Sequence, residues 1–141
     1  MKPRIVTGPW QALSEAASAI RFEVFVNEQR VPPEMELDEM DAASLHALAL
    51  EGDVALGTGR LLPDGHIGRM AVRREARGQG IGGMILRALM DAARERGDRA
   101  VVLHAQLHAM EFYRRHGFVV EGEGFMEAGI AHVLMRHRFQ A

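Results

Sequence analysis

The seven residues Arg77-Gly78-Gln79-Gly80-Ile81-Gly82-Gly83 constrain this chain more than any other stretch. They lie between a strand-like run and an amphipathic helical run, so the backbone turns there with almost no side chains in the way. Glycines at alternate positions let such a turn aim several N–H groups at one point, and the new helix adds its positive end. A strand–turn–helix unit of this kind suits a phosphate or pyrophosphate, with Arg77 supplying a full charge at its mouth. A side chain at Gly80 or Gly82 would obstruct the approach. The competing reading is a glycine-rich turn that binds nothing.

Two nucleotide loops invite comparison. Gly78, Gly80 and Gly83 spell the dinucleotide pattern G-x-G-x-x-G. That pattern belongs early in a domain, in a parallel βαβ unit whose next strand ends in a ribose-binding acid. Here the loop comes halfway along, the next strand ends in Gln106, and Asp98 precedes that strand. A nicotinamide oxidoreductase is therefore disfavoured. A nucleoside-triphosphate loop fails because no Gly-Lys-Ser/Thr follows the glycines.

The rest of the chain places the loop in an α/β domain with a mixed sheet. At 141 residues and 48% hydrophobic content, one domain spanning residues 1–141 has enough material for a core. Residues 4–6 read as a strand, and Gly8-Pro9 as the start of a helix with proline in its first position. Leu13, Ala16, Ala17, Ile20 and Val24 continue a helical stripe to about Val26. Residues 27–43 read as loop with a short helix. Strands follow at 44–50, 54–62 and 66–72, divided by Glu51-Gly52-Asp53 and Pro63-Asp64-Gly65 turns. A helix then starts at Ile81 and stops at Gly97. A strand over 99–105, a helix over 108–116 and a closing hairpin complete the chain.

A net charge of −2 argues against a nucleic-acid partner. With no cysteine, disulfides, thiolate metal sites and cysteine nucleophiles are excluded. A cytoplasmic location fits that composition, and no signal-like or membrane-spanning run stands out. No metal is expected. His104 and His108 straddle a strand end and a helix start, and His132 and His137 fall on opposite faces of one strand. Arg94, Arg96 and Arg99 read as a helix-end surface.

Arg77-x-x-Gly80-x-Gly82 resembles the pyrophosphate loop R/Q-x-x-G-x-G/A of the GNAT superfamily of acyl-CoA-dependent N-acyltransferases. A second signature of that family is matched by Val101-Val102-Leu103-His104-Ala105-Gln106, then Ala109 and Phe112-Tyr113-Arg114-Arg115-His116-Gly117-Phe118. Gln106 departs from the usual Asn. Arg21-Phe22-Glu23-Val24-Phe25-Val26-Asn27-Glu28-Gln29, with Pro32, Asp38 and His46, is similar to the ElaA-like or YjcF-like branch, as is Phe125-Met126-Glu127-Ala128-Gly129-Ile130-Ala131-His132.

The resemblance implies a GNAT fold whose central sheet is splayed between the strands ending near Val72 and Ala105, with acyl-CoA in the opening. It implies acetyl-CoA as cosubstrate and direct attack by a primary amine in a ternary complex. The loop Arg77, Gly78, Gln79, Gly80, Ile81 and Gly82 would take the pyrophosphate, each charged hydrogen bond contributing about 1.5–3 kcal/mol. Met70, Ala71 and Val72 would offer backbone groups to the pantetheine arm, with Gln106 opposite. Tyr113, the one tyrosine, falls where the family carries its general acid, a role worth about 10²–10⁴-fold. Its alternative is interfacial packing.

An acceptor amine of pKa about 10.4 is roughly 0.1% neutral near physiological pH, so a base or desolvation must help. Glu28, Glu36, Glu123, His104 and His132 are the candidates, and none is assigned. Five acids within residues 34–41 would form a wall attractive to a cationic amine, unless they are simply solvated. A silent acyl-CoA-binding module is the rival to the enzyme. Sheet edges and the hairpin leave a homodimer open.

Overall fold

Alternate strand residues join different core layers, so the central strands are buried at consecutive positions rather than at every second one. The computed structural model describes residues 2–140. Seven strands, β1 (Arg4–Pro9), β2 (Leu45–Glu51), β3 (Val54–Leu61), β4 (His66–Val72), β5 (Ala100–Gln106), β6 (Val119–Glu127) and β7 (Ile130–Arg138), form one sheet in the order β1-β2-β3-β4-β5-β7-β6. The helices are α1 (Trp10–Arg21), α2 (Pro33–Glu36), α3 (Ile81–Glu95) and α4 (Met110–Arg115). Along β2, Ala47 and Ala49 join the core beneath α3, whereas Leu48 joins Ala17 and Ile20 of α1. Successive strand residues face opposite sides, so the sheet lies between the two helices.

Glycines on β3 set how closely α3 lies. A Cβ placed on Gly59 would come 2.9 Å from Ile85 Cγ2 and 3.0 Å from Leu89 Cδ1, so the bare backbone is what admits those buried side chains. All neighbouring pairs are antiparallel except β4 and β5. These two run parallel and are joined only at His66↔Val102 and Ile67↔Leu103. Beyond those pairs they part.

The parting has a local cause. Thr58 pairs with Ala71 and Arg60 with Gly68, so two steps on β3 oppose three on β4. The extra residue makes a bulge, which bends its strand. Arg69 lies within it at φ 49°, a left-handed conformation costly for a side-chain-bearing residue. Its guanidinium bonds to the carbonyls of Glu36 (3.1 Å) and Met35 (3.3 Å), and these anchors hold the turn. The mixed, splayed sheet implied by the resemblance is thus present.

Two local features differ from expectation. Pro9 ends β1 and caps α1 rather than occupying the first helical position, because its ψ of 163° is extended. The α1 stripe continues into a π-helical turn over Phe22–Glu28, closed by Gln29 N–H on the carbonyl of Val24 at 2.9 Å. The wider turn rotates Glu28 and Gln29 toward the gap between β4 and β5. Among the described residues, no helix is long and apolar enough to cross a membrane.

Candidate active site

The gap opens into a cavity of about 920 Å³. Met70, Ala71 and Val72 line it from β4, Gln106 from β5, Tyr113 from α4 and Arg77 from the glycine loop. The two signatures found in the sequence therefore meet at one place.

At the loop, backbone conformation matters more than side chains. Gly80 caps α3 at φ 80° and ψ 8°, and Gly78 also has positive φ, 79°. A Cβ on Gly80 would meet no protein atom within 4 Å, so the space above the loop is open. No side chain caps α3 and its first turn carries no acid, which leaves its N-terminal N–H groups available. Gly78, Gln79 and Gly80 are exposed, whereas the Ile81 side chain is in the core. Gly82 corrects one expectation. Its missing Cβ would face Phe112 Cζ at 3.5 Å, in ordinary contact, and would not stand over the loop.

Arg77 also differs from the free charge expected at the mouth. Its Nη1 and Nη2 donate to Glu28 Oε2 and Oε1 at 2.6 and 2.8 Å, and Nε donates to the Val72 carbonyl at 2.9 Å. These bonds staple the loop to β4 and to the π-helical turn. The guanidinium holds the Glu28 carboxyl below its usual range, so Glu28 is a poor base. Beside it, Gln106 Nε2 donates to Gln29 Oε1 at 2.9 Å, bridging the gap from β5 to the same turn.

The acidic run 34–41 divides, with Glu34 and Glu39 exposed and Glu36, Asp38 and Asp41 paired with arginines. Arg21 binds the carboxylate of Glu36 and, at 2.8 Å, that of Asp41. Arg60 binds Asp38 at 2.7 Å and Asp41 at 2.9 Å, and Arg69 reaches Asp38 at 3.3 Å. Three guanidinium groups thus balance three carboxylates. Glu36, paired in this way, is buried and unavailable as a base. The Arg60 hydrogen bonds take Asp38 down to about 2. Burial, together with the Arg60 charge, pushes Arg69 down.

Tyr113 packs its half-buried ring against Phe112 and Phe118, with centroids 5.0 and 5.9 Å away. Among the described residues its hydroxyl has no hydrogen-bond partner. Burial pushes the phenol up to about 12, so it stays protonated at physiological pH. The other end of the cavity carries His66, His104, Glu127 and His132. His104 Nδ1 lies 2.8 Å from Glu127 Oε1, and His132 Nε2 lies 3.7 Å from Glu127 Oε2. Glu123 is exposed on β6 and does not line the cavity. His132 is buried while His137, on the same strand, is half-buried, in keeping with their opposite faces. Among the described residues, no group of three or more His, Cys, Asp or Glu is placed to hold a metal ion.

Sequence reasoning missed Glu127 as a partner of His104. Its signal is the branch motif ending in His132, but pairing it with His104 needs the register of three strands.

Known proteins resemble this chain in sequence and in fold. The family model described as an acetyltransferase (GNAT) domain matches residues 11–139. The uncharacterized N-acetyltransferase YjcF of Bacillus subtilis is 40% identical over 120 residues, covering 82% of this chain and 86% of YjcF. An acyl-CoA N-acyltransferase from Pseudomonas aeruginosa superposes with a TM-score of 0.85 at 34% identity, covering 96% of this chain and 99% of that one. Escherichia coli ElaA superposes at 0.87 with 26% identity and the same coverage, 96% and 99%. The chain belongs to the GNAT acetyltransferases, in the branch of YjcF and ElaA, a family whose chemistry is acyl transfer.

Proposed function

We propose that this chain moves an acetyl group from acetyl-CoA to a primary amine by direct attack while both are bound. The observation that carries this reading is the unpartnered hydroxyl of Tyr113 in the cavity where β4 loses β5. The residues present fit the cosubstrate. Open space over left-handed Gly80 and uncapped N–H groups of α3 suit a pyrophosphate, and the freed edge of β4 suits an amide-bearing arm. Acetyl-CoA, when bound, supplies the acyl thioester.

The chain's own groups do the rest. Backbone N–H groups of Gly78, Gln79, Gly80, Ile81 and Gly82 bind the pyrophosphate, while Arg77 fixes the loop through Glu28 and Val72. Met70, Ala71 and Val72 orient the arm by their backbone, and Gln106 faces it from β5. Tyr113 donates a hydrogen bond to the sulfur as negative charge develops there. A thiol near 8.5 lies well below a phenol of about 12, so full proton transfer from Tyr113 runs uphill. Hydrogen bonding therefore accounts for most of its effect. No cysteine is present to carry the acyl group, which favours direct attack.

The test follows release of free coenzyme A from acetyl-CoA across a panel of amines. Tyr113→Phe is expected to lower turnover about 10²-fold, the low end for losing one hydrogen-bond donor aimed at developing charge, with acetyl-CoA binding unchanged. Binding without turnover on any amine would favour a silent acyl-CoA-binding module. Failure to bind acetyl-CoA would overturn the reading of the loop.

A further inference from the structure

We propose that His104 is the general base that deprotonates the acceptor amine, and that Glu127 is the positioning residue that aims it. The proposal rests on the transfer reading above. His104 stands near the end of β5, beside the gap, with 39% of its side chain exposed and facing the cavity that Tyr113 also lines. Its Nδ1 is 2.8 Å from Glu127 Oε1. An ionised carboxylate only accepts, so the ring proton resides on Nδ1 and Nε2 keeps a lone pair. Among the described residues that Nε2 has no partner. The ring is held edge-on by Phe125 and His66, with centroids 5.1 and 5.8 Å away.

The neighbouring groups exclude the other imidazoles. His132 Nδ1 donates to the Ile130 carbonyl at 2.7 Å, so in the neutral ring its lone pair faces Glu127 Oε2 rather than the cavity. Only 8% of that side chain is exposed. His66, from β4, faces Asp64, whose carboxylate is 63% exposed and screened by water. Its Nδ1 is buried without a well-directed hydrogen bond. The titratable groups around His104 are thus His66 and Asp64 on the β4 side, Glu127 on β6 and His132 on β7. Of the three imidazoles, His104 alone combines an accessible lone pair with a carboxylate bonded behind it. That is the arrangement in which an imidazole is aimed to accept a proton from a bound amine.

The proton count closes. An ammonium acceptor must lose two protons to become an amide. His104 Nε2 takes the first, and Glu127 stabilises the resulting imidazolium. The nitrogen lone pair then forms the N–C bond as the C–S bond breaks. The second N–H proton ends on the departing sulfur, giving a free thiol. Nothing is oxidised or reduced.

Two measurements test the assignment. In the protein without acyl-CoA, imidazole nitrogen shifts should show the His104 proton on Nδ1 in wild type and Glu127→Gln, and a mixture of tautomers in Glu127→Ala. A wild-type ring protonated on Nε2 instead would overturn the proposal whatever the kinetics. In turnover, His104→Asn keeps a donor for Glu127 but removes the base. It should lower kcat by about 10²-fold or more, leave acetyl-CoA binding unchanged, and move the acid-side fall in kcat/KM up toward the acceptor's own pKa, because the variant must await the neutral amine. Glu127→Gln should cost less than His104→Asn, because its amide oxygen still accepts from Nδ1. Near wild-type turnover of His104→Asn, or the same upward move of the acid limb in His66→Asn instead, would overturn the assignment while leaving acyl transfer intact. Wild type that binds acetyl-CoA but acylates no amine would instead overturn the transfer reading, and the base with it.

Discussion

Two clusters of opposite charges border the same cavity and are built to opposite specifications. The Arg21, Arg60, Arg69, Glu36, Asp38 and Asp41 cluster ties the π-helical side to β3 and β4, and its charges balance. Arg21 in particular is 1% exposed and holds two carboxylates and the Glu36 carbonyl at once. The His104, Glu127 and His132 cluster on the other side has a carboxylate 45% exposed and a ring nitrogen without a partner. Largely buried ions paired with one another fix a conformation, and here Arg60 Nε is the exception, buried without a partner. Half-exposed groups with an unused lone pair can exchange protons with a ligand. Charge content alone would not tell the two apart; the difference lies in how completely each group is satisfied.

Removing a member of the satisfied cluster should give the largest effect on stability. Arg21→Met would leave Glu36 and Asp41 buried without their main cation and would remove the guanidinium stacked 5.3 Å from the Trp10 ring. Breaking a buried pair in this way costs about 3–5 kcal/mol, a large share of an ordinary domain's stability. Urea unfolding at neutral pH measures it. Should Arg21→Met be too unstable to purify, Arg60→Met serves, with a smaller loss because its partner Asp38 is a third exposed. A loss below about 1 kcal/mol in both variants would erase the contrast between the clusters.

That contrast was invisible in the sequence, although much of the frame was legible. The strand–loop–helix unit could be read because its glycines and flanking apolar residues are adjacent in the chain, and the same holds for the closing hairpin, which turns at Ala128-Gly129, both at positive φ. The acidic run showed five acids without the arginines that pair with three of them. The arginines bonded to Glu36 and Asp38 lie 15, 22 and 31 positions away on three different elements. Glu127 was hidden for a similar reason. Its meeting with His104 depends on the β5–β7 and β6–β7 registers, and β6 carries an irregularity between Glu121 and Phe125 that no local pattern announces. The π-helical turn was missed because its apolar spacing continues that of α1.

Acid should sharpen the comparison at a smaller scale. The ordinary aspartate value of 3.8 falls to about 2 at Asp38, chiefly through the Arg60 hydrogen bonds. A carboxyl lowered on folding stabilises the fold at pH values above its unfolded value and loses that contribution as pH falls toward the folded one. Stability should therefore drop between about pH 4 and pH 2, by about 1–2 kcal/mol from this residue once solvent screening is discounted. His46 works on a different interval. Burial lowers it, so its contribution begins to fade as pH drops below the ordinary 6.5. In urea melts taken from pH 7 downward, Asp38→Asn should flatten the lower phase and spare the upper one. An unchanged lower phase in Asp38→Asn would remove Asp38 from the satisfied cluster.

The smallest stability effect belongs to the open cluster, and there the comparison is most exposed to failure. His104 and Glu127 are 39% and 45% exposed, so water can replace whatever contact either side chain loses. Exposed ion pairs contribute about 0–1 kcal/mol, and Glu127→Gln keeps an oxygen that can accept from Nδ1. Its urea midpoint should therefore stay within about 0.5 kcal/mol of wild type, even though turnover falls. Arg21→Met should unfold readily with its active-site groups chemically intact, whereas Glu127→Gln should remain folded and lose rate. If Glu127→Gln were destabilised as much as Arg21→Met, Glu127 would be another structural ion, and partner satisfaction would no longer separate the two sides of the cavity.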